Sequence, residues 1–307
     1  MQKLCKLLCL LLCVCSLPLW VACHTPAPSP EEGYRFTDSA GFEVTLAARP
    51  TRVAVLFSSF ADLWLSAGGE VAMTVGESIE RGIVPSSVPV LAEGAGKSPN
   101  AEGIIAARPD LVILSADLAD HVSCAALLRA VGIPVALFHV ECFADYLDVL
   151  KICTDLNGRP DLFESVGLTQ KAEIDALIAA KPWAGKRILF ARAASSAVKA
   201  KGSDDHFAAA MLTQLGAVNI ADEVPLIADG LNTEVILVED PDYLVFSTMG
   251  NEQAARDNLT QLLAGEPWST LDAVEAGAYC ILPRELFHYK PNAAWAEAYA
   301  YLAQLIP

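Results

Sequence analysis

The hydrophobic and polar positions of this chain follow one pattern twice. In each copy, Asn-x-Glu opens a short helical stretch, Pro-Asp closes it, and an apolar strand follows; the copies are residues 100–114 and 232–246. Asn caps the free amides of a helix start, and the residue before Pro leaves helical space. A strand that is apolar on both faces is typical of a covered parallel sheet. The copies begin 132 residues apart, which is too far for a solenoid repeat and predicts two lobes of similar build.

Strands and helices alternate around both copies, after a predicted entry hairpin at residues 34–48. The predicted strands span 52–57, 71–75, 111–115, 134–138, 187–191, 243–247 and 278–282. Residues 143–181 break the alternation with two helical stretches, and the second begins at Pro160-Asp161 and runs to about Lys181. The pattern predicts an α/β protein: two Rossmann-like lobes with parallel sheets, joined by a single long backbone helix.

The first 23 residues have the pattern of an export signal. Lys3 and Lys6 precede an apolar run, and Val21-Ala22-Cys23 is a small-residue cleavage site that ends in Cys. This resembles a bacterial lipoprotein signal with Cys23 as the lipidated residue, although Trp20 stands where such signals usually have Leu. An ordinary signal peptide and an uncleaved anchor are the alternatives. No later apolar run reaches the ~18 residues that a membrane span needs.

These patterns divide the chain into five predicted segments. They are a signal peptide (1–23), a Pro-rich tether (24–33), an N-terminal α/β lobe (34–142), linking helices that include the backbone helix (143–182), and a C-terminal α/β lobe (183–307). A signal followed by a semi-rigid tether is what an anchored extracytoplasmic domain needs.

The amino-acid composition of the chain argues against some kinds of partner and metal site. Apolar residues make up 53% of the chain, which excludes a disordered protein, and the formal net charge of −16 argues against nucleic acid as a partner. Beyond the signal the cysteines are Cys124, Cys142, Cys153 and Cys280, whose spacing matches no zinc motif. We expect buried thiols, with one disulfide left open.

Several short motifs occur in an order that resembles a known family. They are Arg52-Val-Ala-Val, Asn100-Ala-Glu102 with Pro109-Asp110, Gly216-Ala-Val-Asn-Ile220, Glu234 with Pro241-Asp242, and Pro267-Trp268-Ser-Thr-Leu271. Over residues 34–306 the chain is similar to the helical-backbone (class III) solute-binding proteins of ABC importers, which serve ferric siderophores, haem and cobalamin. The resemblance implies two lobes around a ligand cleft, no catalysis and no resident cofactor.

The same resemblance implies the partners. In family members, a Glu on each lobe pairs with Arg residues of the permease dimer, which works with ATPase subunits. Glu102 and Glu234 occupy matching places in the two copies, as that role requires. A purely local role at the helix starts is the alternative, because a carboxylate in the first turn faces the positive end of the helix dipole.

Ligand-contacting residues are expected after the carboxyl ends of the strands, where open α/β sheets bind ligands. The candidates in these segments are Ser58, Ser59, Phe60, Lys97, Ser98, His139, Arg192, Lys199, Lys201, Met249, His288 and Tyr289. Lys199 and Lys201 stand beside a Gly in a predicted loop, and their charges suit the carboxylates of a metallated chelate or porphyrin. A solvated loop is the alternative.

Metal ligation stays open at this stage. His139, Met249, His288 and Tyr289 are residue types that ligate haem iron. A bare metal ion held by His139 and Glu141 together with His206 or His288 is the alternative. Sequence does not show whether such ligands converge.

The favoured function is therefore an extracytoplasmic receptor that captures an iron complex and delivers it to a permease. Ferric siderophore ranks first as ligand, haem second and cobalamin third. The alternative from another class is an enzyme on a related two-lobed fold, such as a chelatase. The export signal and the tether favour the receptor, and no nucleophile or acid–base constellation stands out.

Overall fold

Two parallel sheets with the same strand order form the frame of the protein. The structure is a computed structural model that describes residues 33–224 and 232–305. The predicted signal segment with Cys23, and most of the tether, lie outside the described residues. Within the described ranges, no helix has the length and apolar character needed to cross a lipid bilayer.

The N-terminal half contains the predicted hairpin and a parallel sheet. Its strands are β1 (Tyr34–Thr37), β2 (Glu43–Leu46), β3 (Val53–Val55), β4 (Thr74–Val75), β5 (Val90–Ala92), β6 (Leu111–Ser115) and β7 (Val135–Phe138). Its helices are α1 (Ser58–Ser66), α2 (Gly76–Glu80), α3 (Ala101–Ala107) and α4 (Ala119–Ala130). Strands β3, β6 and β7 pair in that order, and β4 adds to the β3 edge through the bridge between Ala54 and Met73.

Helices α5 (Phe143–Asn157), α6 (Pro160–Leu162) and α7 (Thr169–Ala180) connect the halves, with a π-helical segment at Phe163–Leu168 between the last two. Residues 160–180 therefore form one continuous helical stretch, as predicted, and we call it the linking helix. Gly167 lies in the π segment, where a Cβ would stand 3.0 Å from the side chains of Leu147 and Leu150. Glycine thus lets α5 and the linking helix approach closely.

The C-terminal half repeats the order of the first sheet. Its strands are β8 (Arg187–Ala193), β9 (Val198–Ala200), β10 (Val218–Asn219), β11 (Tyr243–Thr248) and β12 (Tyr279–Ile281). Its helices are α8 (Phe207–Gln214), α9 (Ile220–Glu223), α10 (Thr233–Glu239), α11 (Glu252–Ala264), α12 (Asp272–Glu275), α13 (Arg284–Phe287) and α14 (Trp295–Ala303), with 3₁₀ turns at Trp268–Thr270 and Asn292–Ala294. The parallel order β10-β8-β11-β12 corresponds to β4-β3-β6-β7.

The repeated Asn-x-Glu motif forms the same helix start in both halves. Asn100 accepts a hydrogen bond from the backbone N–H of Gly103 (3.1 Å), and Asn232 accepts one from Val235 (3.2 Å). Each Asn side chain thereby satisfies an amide that the helix leaves free. The motif therefore fixes where α3 and α10 begin.

The repeated Pro-Asp motif ties each of these helices to the first strand of its sheet. Asp110 accepts hydrogen bonds from the backbone N–H groups of Thr51 and Arg52, and Asp242 accepts one from Arg187 at 2.7 Å. Each carboxylate thus holds the start of β3 or β8 beside the neighbouring strand. The two copies share a structural role that follows directly from their sequence.

Residues 192–201, expected to be a loop, form most of a β-hairpin instead. Strand β9 runs antiparallel to the end of β8, and the backbone N–H of Ala194 donates to the carbonyl of Ala197 (2.8 Å) across the turn. A three-residue strand is too short to give a readable alternation of polar and apolar positions, which is why the sequence did not reveal it. The disulfide left open at the sequence level is not formed, since Cys124, Cys142, Cys153 and Cys280 are free thiols.

Asn292 holds the two halves together near the C-terminus. Its side-chain amide donates to the Ser59 carbonyl and to the Asp62 carboxylate, both at 2.8 Å, although it follows the last strand of the C-terminal sheet. Gln170 of the linking helix donates to the Asn292 carbonyl and accepts from the backbone of Ala296. Both lobes and the linking helix therefore meet at one buried polar residue.

Candidate functional site

A central cavity of about 360 Å³ lies between the two halves. Glu141, which follows β7, comes from the N-terminal half, and the other lining residues come from the C-terminal half. The lining consists of Glu141, Arg192, Asp205, His206, Phe207, Thr248, Met249, Phe287, His288 and Lys290. Arg192 lies near the end of β8, and Thr248 ends β11. The cavity thus opens where the parallel strands end, as expected for this class of sheet.

An apolar cavity of about 170 Å³ adjoins the central one and shares His288 and Lys290 with it. Most of its wall belongs to the N-terminal half. It is lined by Phe57, Ser59, Phe60, Ser115, Asp117, Leu118, Val140, His288, Tyr289, Lys290 and Asn292. Phe57 and Phe60 lie with ring centroids 5.3 Å apart, in a tilted arrangement. The N-terminal half therefore offers an aromatic surface to the cleft.

A cationic cavity of about 210 Å³ adjoins the central one on its other side, through Arg192 and Met249. The rest of its lining is Ala194, Ala197, Lys199 and Lys201, all from the β8–β9 hairpin or the residue that follows it. The three cavities thus form one cleft, with an apolar end on the N-terminal half and a positively charged end on the C-terminal half.

The positive charges of the hairpin lie on one face. Arg192 and Lys199 are directly opposed in the antiparallel register, and Lys201 lies two residues beyond Lys199 on the same face. Like charges that face each other across a strand pair destabilise it. In the part of the chain that the structure describes, none of the three side chains has a carboxylate within ion-pair distance. The hairpin therefore holds a concentration of uncompensated positive charge in an acidic protein.

Thr248 carries a hydroxyl in the wall of the central cavity. It is buried at the end of β11, and its Oγ1 has no hydrogen-bond partner among the described residues. A buried hydroxyl without a partner is unfavourable, so such groups often mark positions where a ligand binds. The Thr248 hydroxyl therefore marks this wall of the central cavity as a candidate ligand contact.

His206 lies behind the cations and is held neutral. Burial, reinforced by the positive charges of Arg192, Lys290 and Lys201, lowers the pKa of His206 to about 3. Its Nδ1 accepts a hydrogen bond from the backbone N–H of Ala208 (3.2 Å), so it caps helix α8. Because its ring nitrogen is used at the start of α8, His206 has a structural role rather than a role in ligand binding.

His288 is engaged at both ring nitrogens. Nδ1 lies 3.2 Å from the Thr248 carbonyl and Nε2 lies 3.0 Å from the Arg284 guanidinium, so Nδ1 carries the proton and Nε2 accepts. Burial lowers the pKa of His288, which is consistent with a neutral ring. Iron ligation by this residue would require the loss of one of these hydrogen bonds.

Tyr289 and Lys290 attach the end of the C-terminal half to the N-terminal half. The Tyr289 ring lies under the Arg81 guanidinium, 3.7 Å from its centroid, and the Lys290 ammonium lies 2.7 Å from Glu141 Oε2. Arg81 in turn donates to Ser58 Oγ at 2.8 Å. The floor of the cleft is thus formed by contacts between the two lobes.

The sequence as a whole carries the signature of a known family. A family model described as periplasmic binding protein matches residues 53–286, which is most of the chain. The chain belongs to this family. No protein with a curated description matches it in sequence. Members of this family act outside the cytoplasm and bind solutes.

Solved structures of similar fold extend over nearly the whole of this periplasmic binding protein. The siderophore-binding protein BauB, solved with two acinetobactin molecules and ferric iron, is 17% identical, covers 90% of this chain and 100% of its own, and has a TM-score of 0.71. The catecholate-siderophore-binding protein VctP from Vibrio cholerae is 14% identical, with 89% and 99% covered and a TM-score of 0.69. A ferric-hydroxamate transport protein from Saccharomonospora viridis is 21% identical, with 89% and 98% covered and a TM-score of 0.65. At these identities the likeness establishes the two-lobed fold.

Eight of the twelve ligand-contacting residues predicted from the sequence line the cleft of this periplasmic binding protein. They are Ser59, Phe60, Arg192, Lys199, Lys201, Met249, His288 and Tyr289. The other four lie elsewhere. Ser58 is buried under Arg81 and Glu77, and Ser98 donates to Asp120 at 2.6 Å.

Lys97 and His139 also lie outside the three cavities. Lys97 is exposed in the loop before α3, and His139 lines a separate pocket beside α5. Asp117 binds His139 Nδ1 at 2.6 Å, and Asp145 lies 3.7 Å from its other nitrogen. The suggested grouping of His139 with His206 or His288 is therefore not formed, and no group of three or more metal-binding side chains suited to a metal ion occurs in the described part of the chain.

Several lining residues were not among the predicted contacts. Phe207, Phe287, Leu118 and Val140 follow the apolar pattern of core residues, and nothing in the sequence distinguishes them as part of a cleft. Asn292 could have been identified from the sequence, because an Asn between a Pro and a helix start often caps the helix or has a left-handed conformation. In the structure its φ is 51°.

Proposed function

We propose that this protein is the extracytoplasmic receptor of an ABC importer and that it captures a ferric siderophore between its lobes. The observation that carries the proposal is the set of uncompensated cations, Arg192, Lys199 and Lys201, at one end of the cleft. Positive charge repels a bare metal cation and attracts a chelate whose donor oxygens leave it negatively charged. The similar structures of two siderophore-binding proteins, BauB and VctP, support the same class of ligand.

The apolar cavity supports a chelate rather than a small inorganic anion. Phe57, Phe60 and Tyr289 form its aromatic surface. Aromatic side chains provide large contact areas for flat or apolar groups. A chelate with aromatic or methylene parts and a charged iron centre matches both ends of the cleft. Haem ranks second, because the described geometry engages His288 twice and places His139 in a separate pocket.

We also propose that the protein delivers its ligand without chemical turnover. His206 caps a helix, and the Thr248 hydroxyl has no hydrogen-bond partner among the described residues that could act as a general base, so the polar groups of the cleft suit recognition. The permease dimer with its ATPase subunits is the proposed partner, docking through Glu102 and Glu234.

A binding titration tests the function. We expect the purified protein to bind one equivalent of a hexadentate ferric tris-catecholate, with quenching of tryptophan fluorescence and the absorbance band of the complex retained. Haemin titrated in parallel should give no stable Soret band. Saturable haemin binding together with indifference to the ferric complex would replace the siderophore by haem. Conversion of the complex during incubation would favour an enzyme instead.

Lipidation at Cys23 is the proposed means of anchoring. We expect Cys23→Ala to release the protein from membranes or to block processing of its signal segment, because the acyl group and the new N-terminus both depend on that residue. Cys15→Ala, within the apolar run, is the matched control and should leave anchoring unchanged. Mass spectrometry of the mature protein checks the assignment, and cleavage elsewhere without an acyl group would refute it.

A further inference from the structure

The ion pair between Glu141 and Lys290 occupies the centre of the cleft. Lys290 lines both the central and the apolar cavity, and Glu141 lines the central one. Their charged atoms lie 2.7 Å apart, although 149 residues separate them in the chain. One partner follows β7 of the N-terminal half, and the other follows α13 of the C-terminal half. The pair therefore bridges the two walls where the charged and apolar ends of the cleft meet.

The two partners differ in how strongly they are held. The Lys290 side chain is 22% exposed, and its ammonium lies over the Phe207 ring, 4.6 Å from the centroid. The Glu141 side chain is 48% exposed, and Lys290 is its ion-pair partner. Ion pairs that water reaches are weak and exchange readily. Lys290 is thus a cation fixed in the cleft wall, and Glu141 is an anion that can leave it.

The neighbouring cations lack such a partner. Arg192 lines the same central cavity as Lys290 and has no carboxylate within ion-pair distance in the described ranges. An anionic ligand that enters the cavity can therefore contact Arg192 directly, whereas the charge of Lys290 is already neutralised by Glu141. It also meets the negative charge of Glu141 close to the position that its own charge would take.

We propose that Glu141 is an internal competitor for the anionic part of the ligand, which displaces it from Lys290 on binding. The inference rests on the proposed function and adds a residue that sets selectivity. A ligand that carries several negative charges gains a contact with Lys290, and this contact offsets the loss of the Glu141–Lys290 ion pair. A ligand without net charge gains nothing by opening the pair. Glu141 thus lowers the affinity for anionic ligands relative to neutral ones, and its return to Lys290 favours release.

Two ferric probes of different charge test the proposal. They are a hexadentate ferric tris-catecholate of charge −3 and a hexadentate ferric tris-hydroxamate without net charge, each titrated into the full mature protein at fixed salt. Glu141→Gln keeps the shape of the side chain and removes its charge. We expect it to shift the ratio of the two dissociation constants roughly fivefold toward the tris-catecholate. Glu252→Gln, which removes a carboxylate paired with Arg256 on helix α11, is the matched control and should leave the ratio unchanged.

A double-mutant cycle shows whether Lys290 mediates the effect. Lys290→Gln should weaken binding of the tris-catecholate, and in that background Glu141→Gln should shift the ratio much less, because the contested cation is gone. If Glu141→Gln left the ratio of the two dissociation constants unchanged, or weakened both complexes equally, the inference would be overturned. The Glu141–Lys290 ion pair would then be only a structural contact between the lobes. Failure of the unmodified protein to bind either complex would instead remove the proposed function and this inference together.

Discussion

Replacement of Arg192, Lys199 and Lys201 together by Gln is expected to weaken binding of an anionic ferric complex by about 100-fold. The three side chains line the cationic cavity and have no internal carboxylate to balance them. Each charge-assisted contact to a ligand oxygen is worth ~1 kcal/mol or more after desolvation, and about 3 kcal/mol in total corresponds to two orders of magnitude in Kd. Titration calorimetry with the ferric tris-catecholate measures the loss.

The control removes the same charge from other places. Lys151, Lys171 and Lys186 are solvent-exposed or paired on the surface outside the cleft, so their combined replacement by Gln should leave the affinity within about twofold. The hairpin variant should also lose most of the salt dependence of binding, whereas the control should retain it. Equal affinities in the two triple variants would show that the hairpin cations do not attract the ligand. An equal loss in both would assign the attraction to the net charge of the protein, and no loss in either would show that charge plays no part.

The hairpin variant is also expected to fold well. Arg192 and Lys199 are directly opposed on adjacent strands, and this arrangement costs stability in the absence of a ligand. Neutral side chains at these positions relieve the repulsion, so a loss of affinity cannot be ascribed to unfolding. Local strain of this kind is typical of functional sites, where the sequence departs from what stability alone would favour.

The architecture was readable from the sequence because its determinants are local. The repeated Asn-x-Glu and Pro-Asp motifs act within a few residues or on the neighbouring strand, as the contacts of Asn100 and Asp110 show. Strands built on an apolar run of four residues, such as β6 and β11, were also correctly placed. The two-lobed α/β fold and the linking helix are confirmed, while the segment boundaries stay predictions.

The cleft was only partly readable, because its composition depends on contacts between distant residues. The rule that ligands bind at strand ends selected Arg192 and Met249, and both line the central cavity. The same rule selected His139, whose ring Asp117 and Asp145 hold in another pocket. The pairing of Glu141 with Lys290 spans 149 residues and has no local signal. Residues on the right strand ends can thus be predicted, but their partners cannot.

Removal of the Glu102 and Glu234 carboxylates together is expected to abolish uptake while affinity for the ferric complex stays nearly unchanged. Both residues are exposed in the first turn of their helices, and neither has an ion-pair partner within residues 33–224 and 232–305. Neither lines the three cavities of the cleft. The Asn caps remain in the variant, so each helix start loses only about 0.3–1 kcal/mol of stabilisation.

Two assays on one set of variants separate docking from capture. Glu102→Ala with Glu234→Ala is compared with Glu173→Ala with Glu275→Ala, which removes two exposed carboxylates from the linking helix and from α12. We expect iron uptake by whole cells to fail only in the first pair, because two matched carboxylates, one on each lobe, engage the two halves of a permease dimer together. Single variants should retain part of the uptake for the same reason. Normal uptake by the Glu102→Ala, Glu234→Ala variant would show that both residues have only a local role at their helix starts. A loss of affinity in that variant would show that they contribute to ligand binding rather than to docking on the permease.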